Sequence, residues 1–225
     1  MKRASAVMTA IILVLGTLGT AYATGYAYTS LNPPGAPQTY AFGINDGGTI
    51  VGTYLAASGG QHGFSLTGTT YTPLNYPSAI DTGASGINNA GTIVGGYRDA
   101  SGDHGFILSG TTYSTLDYPG TNSSTGASGI NDGGTIVGYY EDANGRVHGF
   151  SLSGTTYTPL NYPGAYMDQV YGINNEGAFV GAYWSTSGYV YGFLATPNPV
   201  PLPPSLLLLA PGLVGLAVVR RRFKM

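Results

Sequence analysis

Gly43-Ile44-Asn45-Asp46-Gly47-Gly48-Thr49-Ile50-Val51-Gly52 returns three times in this chain, as GINNAGTIVG from Gly86, GINDGGTIVG from Gly129 and GINNEGAFVG from Gly172. The step is 43 residues each time. A fixed period of that size marks a repeat architecture, in which one small unit buries its faces only against its neighbours. Around the motif each unit holds four β-type runs. In the second unit, strand A is read as Ala84 to Ile87, strand B as Thr92 to Tyr97, strand C as His104 to Leu108 and strand D as Thr111 to Leu116. Asn88-Asn89-Ala90-Gly91 supplies the A–B turn, since Asn and Gly tolerate the backbone angles of tight hairpins. Tyr118-Pro119 ends strand D, because Pro cannot donate to a ladder. No window shows apolar residues at helical spacing, so almost no helix is expected in the mature protein.

Strand B is apolar on both faces. Ile50 and Val51, Ile93 and Val94, Ile136 and Val137, Phe179 and Val180 sit side by side. A strand with one wet face would alternate, so each small sheet is expected to lie between two others. The glycine that follows (Gly52, Gly95, Gly138, Gly181) is read as allowing the blades to approach closely. Strand D is missing from the last unit. A match to it, Tyr28-Thr29-Ser30-Leu31-Asn32-Pro33-Pro34-Gly35, precedes the first. The pattern therefore predicts an all-β, four-bladed β-propeller of 43-residue repeats closed by the N-terminal strand. The alternative is a short β-solenoid or β-prism-like stack, which would need capping elements.

The two ends read as addresses. Met1 to Ala23 has a basic start (Lys2, Arg3), a short apolar run (Ala10 to Leu18) and small residues at Ala21 and Ala23, which places signal-peptide cleavage before Thr24. At the other end Val200-Pro201-Leu202-Pro203-Pro204-Ser205 precedes the uncharged run Leu206 to Val219, then Arg220-Arg221-Arg222-Phe223-Lys224. That run predicts a C-terminal transmembrane helix over 205–219, with the basic cluster on the cytoplasmic side. The domains are then 1–23, a signal peptide; 24–196, the four-repeat propeller; and 197–225, sorting motif, helix and basic tail.

Between the ends only Arg98 and Arg146 face ten acidic residues, so the basic stripe a nucleic-acid binder needs is missing. Only 8% of the chain is charged, against roughly a quarter in an average domain, and there is no cysteine for disulfides or thiolate metal sites.

Two resemblances follow from these residues. The tail, over about its last 26 residues, resembles a PEP-CTERM sorting domain of the VPLPA-like variant, with Pro204-Ser205 where that variant has Pro-Ala. The resemblance implies a Gram-negative bacterium and recognition by an exosortase. It also implies a passing stay in the inner membrane, then a place at the cell surface or outside, commonly with exopolysaccharide and biofilm matrix. The GIN-x-x-G-x-I-V-G run followed by His-Gly-Phe resembles the bacterial extracellular HAF repeats, in four copies over nearly all of the mature chain. The last copy departs from them with Tyr191 in place of His. That family implies a location and no established activity.

Candidate chemistry is sparse. His62, His104 and His148 hold equivalent places, for which a repeated structural hydrogen bond to a neighbouring turn is the expectation and a metal site the alternative. The loops Asp99–Asp103 and Glu141–Gly145 offer oxygen atoms for calcium, without the spacing of a known calcium loop. No other cofactor or metal is implied. There is no G-x-S-x-G elbow. Trp184, Met167, Asp168 and Gln169 stand outside the repeat pattern. The D-to-A and B-to-C connections vary in length between units, and such variation commonly marks the binding side of a repeat protein. Tyr166, Trp184 and Tyr189 lie on or near them and are the candidate ligand-binding residues, since aromatic faces stack on sugar rings. The expected function is that of a non-catalytic matrix or surface protein binding polysaccharide. The rival is a secreted lyase or hydrolase acting on it.

Overall fold

The structure is a computed structural model that describes residues 27–121 and 124–198. The readings placed on the signal peptide (Ala21, Ala23, Thr24), the sorting motif and the C-terminal helix lie outside the described residues. The chain divides into two compact units, Met1–Ser30 and Leu31–Met225. In the first, the described residues 27–30 form no strand.

The second unit contains every described strand. Four antiparallel meanders follow one another: β1 (Gln38–Ile44), β2 (Ile50–Leu55), β3 (Gln61–Thr67) and β4 (Thr70–Leu74); β5 (Asp81–Ile87), β6 (Ile93–Arg98), β7 (Asp103–Ser109) and β8 (Thr112–Leu116); β9 (Thr125–Ile130), β10 (Ile136–Glu141), β11 (Val147–Ser153) and β12 (Thr156–Leu160); β13 (Met167–Ile173), β14 (Phe179–Trp184) and β15 (Val190–Ala195). Each meander is one sheet, and no helix occurs among the described residues. The sheets pack face to face in chain order, first on second, second on third, third on fourth, and their A strands adjoin. This is the four-bladed propeller arrangement that the repeats predict.

Each inter-sheet core is assembled from the same positions. Val51 of the first sheet joins Ala84, Ile87, Phe106 and Leu108 of the second. Val94 and Leu116 of the second join Ala127, Ile136, Phe150 and Leu152 of the third. Val51, Val94 and Val137 are wholly buried, as the doubly apolar B strand predicts. Each such side chain contributes about 1.5–3 kcal/mol relative to leaving it in water. Tyrosines add a second contact. The tyrosine after strand D stacks on the B-strand tyrosine of the next sheet: Tyr76 on Tyr97 at 3.6 Å, Tyr118 on Tyr140 at 3.7 Å and Tyr162 on Tyr183 at 3.9 Å.

The A–B turns form a third contact, a ladder of side-chain amides. Within each turn the first Asn accepts a backbone N–H four residues on, as Asn88 Oδ1 does from Thr92 at 3.0 Å. Its Nδ2 donates to the backbone carbonyl of the equivalent Asn in the next repeat: Asn45 to Asn88, Asn88 to Asn131 and Asn131 to Asn174, at 3.1–3.2 Å. A parallel row runs through Asp46, Asn89, Asp132 and Asn175. Asn89 Nδ2 donates to both flanking carboxylates, at 2.7 Å to Asp46 and 2.9 Å to Asp132, and Asn175 Nδ2 donates to Asp132 at 2.8 Å. These hydrogen bonds hold the Asp132 carboxyl below the usual carboxylate range, the N–H of Asn89 contributing most.

Two sequence expectations change. The glycine after each Ile-Val pair does not mediate blade contact. A Cβ on Gly52, Gly95, Gly138 or Gly181 would run into a carbonyl oxygen of strand A in its own sheet, where every A–B ladder carries a bulge. Inter-sheet approach falls instead to the first glycine of the motif. A Cβ on Gly43 would lie 3.3 Å from the Gly86 Cα, and one on Gly86 would lie 3.1 Å from the Gly129 Cα.

The expected closing strand is also not formed. Residues 27–33 carry no strand, and the fourth sheet has three strands, β13-β14-β15. The turn that follows strand D in the other repeats does form, with Ala36 N–H donating to the Pro33 carbonyl as Ala79 does to Tyr76. An edge strand needs a ladder partner, and among the described residues no strand precedes this segment. Pro33 also stands where Tyr76 and Tyr118 donate their N–H to Thr82 and Thr125. Proline has no N–H to give, so among the described residues the buried Thr39 hydroxyl has no partner.

Candidate functional site

The four A strands converge on a cleft of about 600 Å³ lined by residues from every sheet. Four equivalent positions, each just before the first glycine of the motif, face it: Phe42, Ser85, Ser128 and Tyr171. Between them lie glycines in the middle repeats (Gly83, Gly126) and Gln169 in the last. Gly126 makes room for Tyr139, because a Cβ there would sit 2.7 Å from the phenol ring. Burial pushes the Tyr139 phenol above its ordinary value.

One end of the cleft is polar. Arg98 grips Asp103 with two hydrogen bonds, Nε to Oδ1 at 2.6 Å and a terminal amino group to Oδ2 at 3.2 Å, and that carboxylate raises the guanidinium's already high value. Asp81 Oδ1 accepts the Gln61 N–H at 2.8 Å. The cleft therefore combines aromatic faces (Phe42, Tyr139, Tyr171) with planar polar groups (Gln61, Gln169, Asp81, Arg98). That mixture binds ligands having both apolar C–H faces and hydroxyl edges.

The three aromatic residues singled out from the sequence, Tyr166, Trp184 and Tyr189, are not among those lining this cleft, whereas His104 and Asp103 are. Tyr166 N–H donates to the Trp184 carbonyl at 2.8 Å, and Tyr189 lies beside Val190, which pairs with Trp184 across the β14–β15 ladder. The fold thus brings the three together at the loop end of the fourth sheet. Tyr166 and Tyr189 are exposed there, and the Arg146 guanidinium lies 4.6 Å from the Tyr166 ring centre. Of the residues outside the repeat pattern, Gln169 reaches the cleft. Asp168 is buried and structural: its carboxylate accepts the N–H groups of Gly149 at 2.7 Å and Tyr162 at 3.1 Å.

The histidines bind their own sheets. His62 Nδ1 meets Asn75 Oδ1 at 2.8 Å, His104 Nδ1 meets Asp117 Oδ1 at 2.9 Å and His148 Nε2 meets Asp142 Oδ2 at 3.2 Å. Each packs against the adjacent B-strand tyrosine, at 5.1–5.5 Å between ring centres. Asp99 and Asp142 of the two acidic loops point their carboxylates at donors in or just beyond the same loops. Asp99 accepts both the N–H and the hydroxyl of Ser101, and these bonds lower its carboxyl value, the hydroxyl contributing most. Asp142 is lowered to about 2, chiefly by the Arg146 N–H, with Asn144 and His148 adding to it.

One row of side chains recurs in no other repeat among the described residues. Ser101 Oγ lies 3.0 Å from His104 Nε2, whose Nδ1 faces Asp117. The order is that of a serine nucleophile, base and orienting carboxylate. Ser101 Oγ also donates to Asp99 Oδ1 at 2.5 Å, which turns the hydroxyl proton away from the imidazole.

The cleft escaped the sequence reading although a signal for it existed. Where the flanking Gly-Ile-Asn stays constant, the preceding residue runs Phe, Ser, Ser, Tyr, which is variation confined to one inward position.

No family model and no curated protein matches the chain. One solved structure similar to it is a mutant of the lectin AAL of Aleuria aurantia in complex with Fucα1-6GlcNAc, at 16% identity and a TM-score of 0.35. The alignment covers 72% of this chain and spans 64% of the lectin's length.

Proposed function

We propose that this chain is an exported, non-catalytic surface or extracellular-matrix protein whose central cleft binds polysaccharide. The observation that carries this reading is the cleft lining, which brings aromatic faces together with amide, carboxylate and guanidinium groups from all four sheets. Sugars present that combination of surfaces. The aromatic residues at the loop end of the fourth sheet, Tyr166, Trp184 and Tyr189, would extend contact along a polymer. In this reading the signal peptide is removed before Thr24. The HAF-like repeats are carried outside, and an exosortase handles the tail at Val200-Pro201-Leu202-Pro203. Binding to a panel of bacterial exopolysaccharides tests it. Retention should drop at least tenfold in Tyr171→Ala and less in Trp184→Ala. Absence of retention on every polymer would sink the proposal.

A second reading rests on Ser101, His104 and Asp117. A hydrolase using them predicts polymer or ester cleavage that Ser101→Ala abolishes. Unchanged turnover in that variant would remove it.

A further inference from the structure

The two ends of the sheet stack expose apolar positions whose repeat equivalents are buried. On the fourth sheet Val180 is 49% exposed, although its equivalents Val51, Val94 and Val137 are buried to the last ångström by the following sheet. Leu194 beside it is 67% exposed. On the first sheet Ile44 is 66% exposed, whereas Ile87, the same position one repeat on, is 8% exposed against the preceding sheet. Ala41 is exposed where Ala84 and Ala127 are buried. The fourth sheet thus lacks what a first sheet offers, and the first lacks what a fourth sheet offers.

The turn ladder stops at the same two places. Asn45, Asn88 and Asn131 each donate Nδ2 to the next repeat. Among the described residues Asn174 Nδ2 has no such partner, and the Asn45 carbonyl receives no amide from a preceding repeat. In the outer row each residue's N–H donates to the side-chain oxygen of the next, as Asp132 N–H does to Asn175 at 2.9 Å. At one end stands the amide Asn175, at the other the carboxylate Asp46, in the order the row uses between Asn89 and Asp132. Gly172 completes the correspondence. A Cβ on Gly43, Gly86 or Gly129 would meet the next repeat's backbone at 3.1–3.4 Å, but one on Gly172 would meet only Val180 Cγ2, at 3.8 Å.

We propose that a second copy of this chain docks head to tail on these faces, its first sheet covering the fourth sheet of its neighbour. The contact repeats the one the chain already makes three times within itself, with Asn174 and Asn175 of one copy continuing the ladder into Asn45 and Asp46 of the next. It is heterologous, so it propagates into a ring or a linear array. It rests on the turn ladder and the exposed apolar positions, and holds whether or not the cleft binds sugar.

The absence of cysteine allows a directional test on the full-length chain in detergent solution. Chains carrying Asp46→Cys are mixed with chains carrying Asn175→Cys and treated with a short bis-maleimide. A cross-linked dimer in the mixture, with none from either chain alone, is the expected result. No cross-link in the mixture overturns the proposal. So does a doubly substituted chain that cross-links only within itself, since the ring would then close in one molecule. Adding Gly172→Ala to the Asn175→Cys chain should abolish the dimer without moving its thermal unfolding midpoint, because only an arriving copy would meet the new methyl group. Undiminished cross-linking of that variant would equally overturn it.

Discussion

Replacing Asn88 by Ala, and then Asn174 by Ala, separates what the turn ladder contributes from what the turns need locally. Asn88 is buried. Its Oδ1 takes the Thr92 N–H at 3.0 Å, and its Nδ2 reaches the Asn131 carbonyl at 3.2 Å. In Asn88→Ala the Thr92 amide is left without an acceptor in a place water enters poorly, at a cost of about 1–3 kcal/mol. Loss of the bond to Asn131 adds about 0.5–1.5 kcal/mol. The Asn131 carbonyl keeps the Gly134 N–H, so no buried acceptor is stranded with it. Together the change should cost on the order of 3 kcal/mol, a large fraction of the roughly 5–15 kcal/mol that holds a domain together. Asn174 makes the same local bonds, to the N–H groups of Glu176 and Ala178, but in an exposed turn. In a single, dilute copy water replaces what is lost there, and Asn174→Ala should cost less than about 1 kcal/mol. Urea unfolding followed by circular dichroism measures both. With a slope of about 1–3 kcal/mol per molar, Asn88→Ala should lower the midpoint by about 1 M or more and Asn174→Ala by a small part of that. Equal shifts in the two variants would show that the ladder between repeats contributes nothing and that only the hairpin bond counts.

Adjacent glycines should respond in opposite ways. Gly95→Ala drives a methyl group into the Gly83 carbonyl and to within 2.9 Å of the Phe106 ring, and should destabilise by about 1–3 kcal/mol or more. Gly96→Ala meets nothing closer than the His104 carbonyl at 3.5 Å and should be neutral or stabilise by up to about 1 kcal/mol; thermal melts of the pair decide. Burial pushes the Tyr97 and Tyr140 phenols up to about 12. An unfolded chain ionises its tyrosines near pH 10, so this contribution to stability is intact below pH 10 and is lost as pH rises towards 12. Tyrosinate absorbance and circular dichroism should therefore change together in that interval, and ionisation of all tyrosines near pH 10 without loss of structure would contradict the burial.

The period and the paired Ile-Val made the stacking of sheets legible, because a strand apolar on both faces has few other homes. Strand edges were less so. β5 starts at Asp81 rather than Ala84, since Asp81, Thr82 and Gly83 read as turn residues and yet pair with Arg98, Tyr97 and Gly96. Ring closure was inferred from a sequence match at Tyr28–Gly35. The match reproduces a turn, but pairing depends on a partner strand that local sequence does not provide. Of the aromatic candidates, Tyr166 and Tyr189 stand in connections and Trp184 ends β14. The cleft was not legible, because its walls are gathered from separate strands of all four repeats and part of its space comes from glycines, where side chains are absent.

The outer row of the ladder bears on how such a chain can grow or shrink. Asp46, Asn89, Asp132 and Asn175 alternate, so every carboxylate meets an amide. Excising the second repeat alone would set Asp46 against Asp132, two acidic groups with no donor between them. Excising the second and third together would leave Asp46 beside Asn175 and the alternation intact. The 43-residue repeat is the unit of sequence, but the unit of duplication or deletion that keeps the row in balance is a pair of repeats.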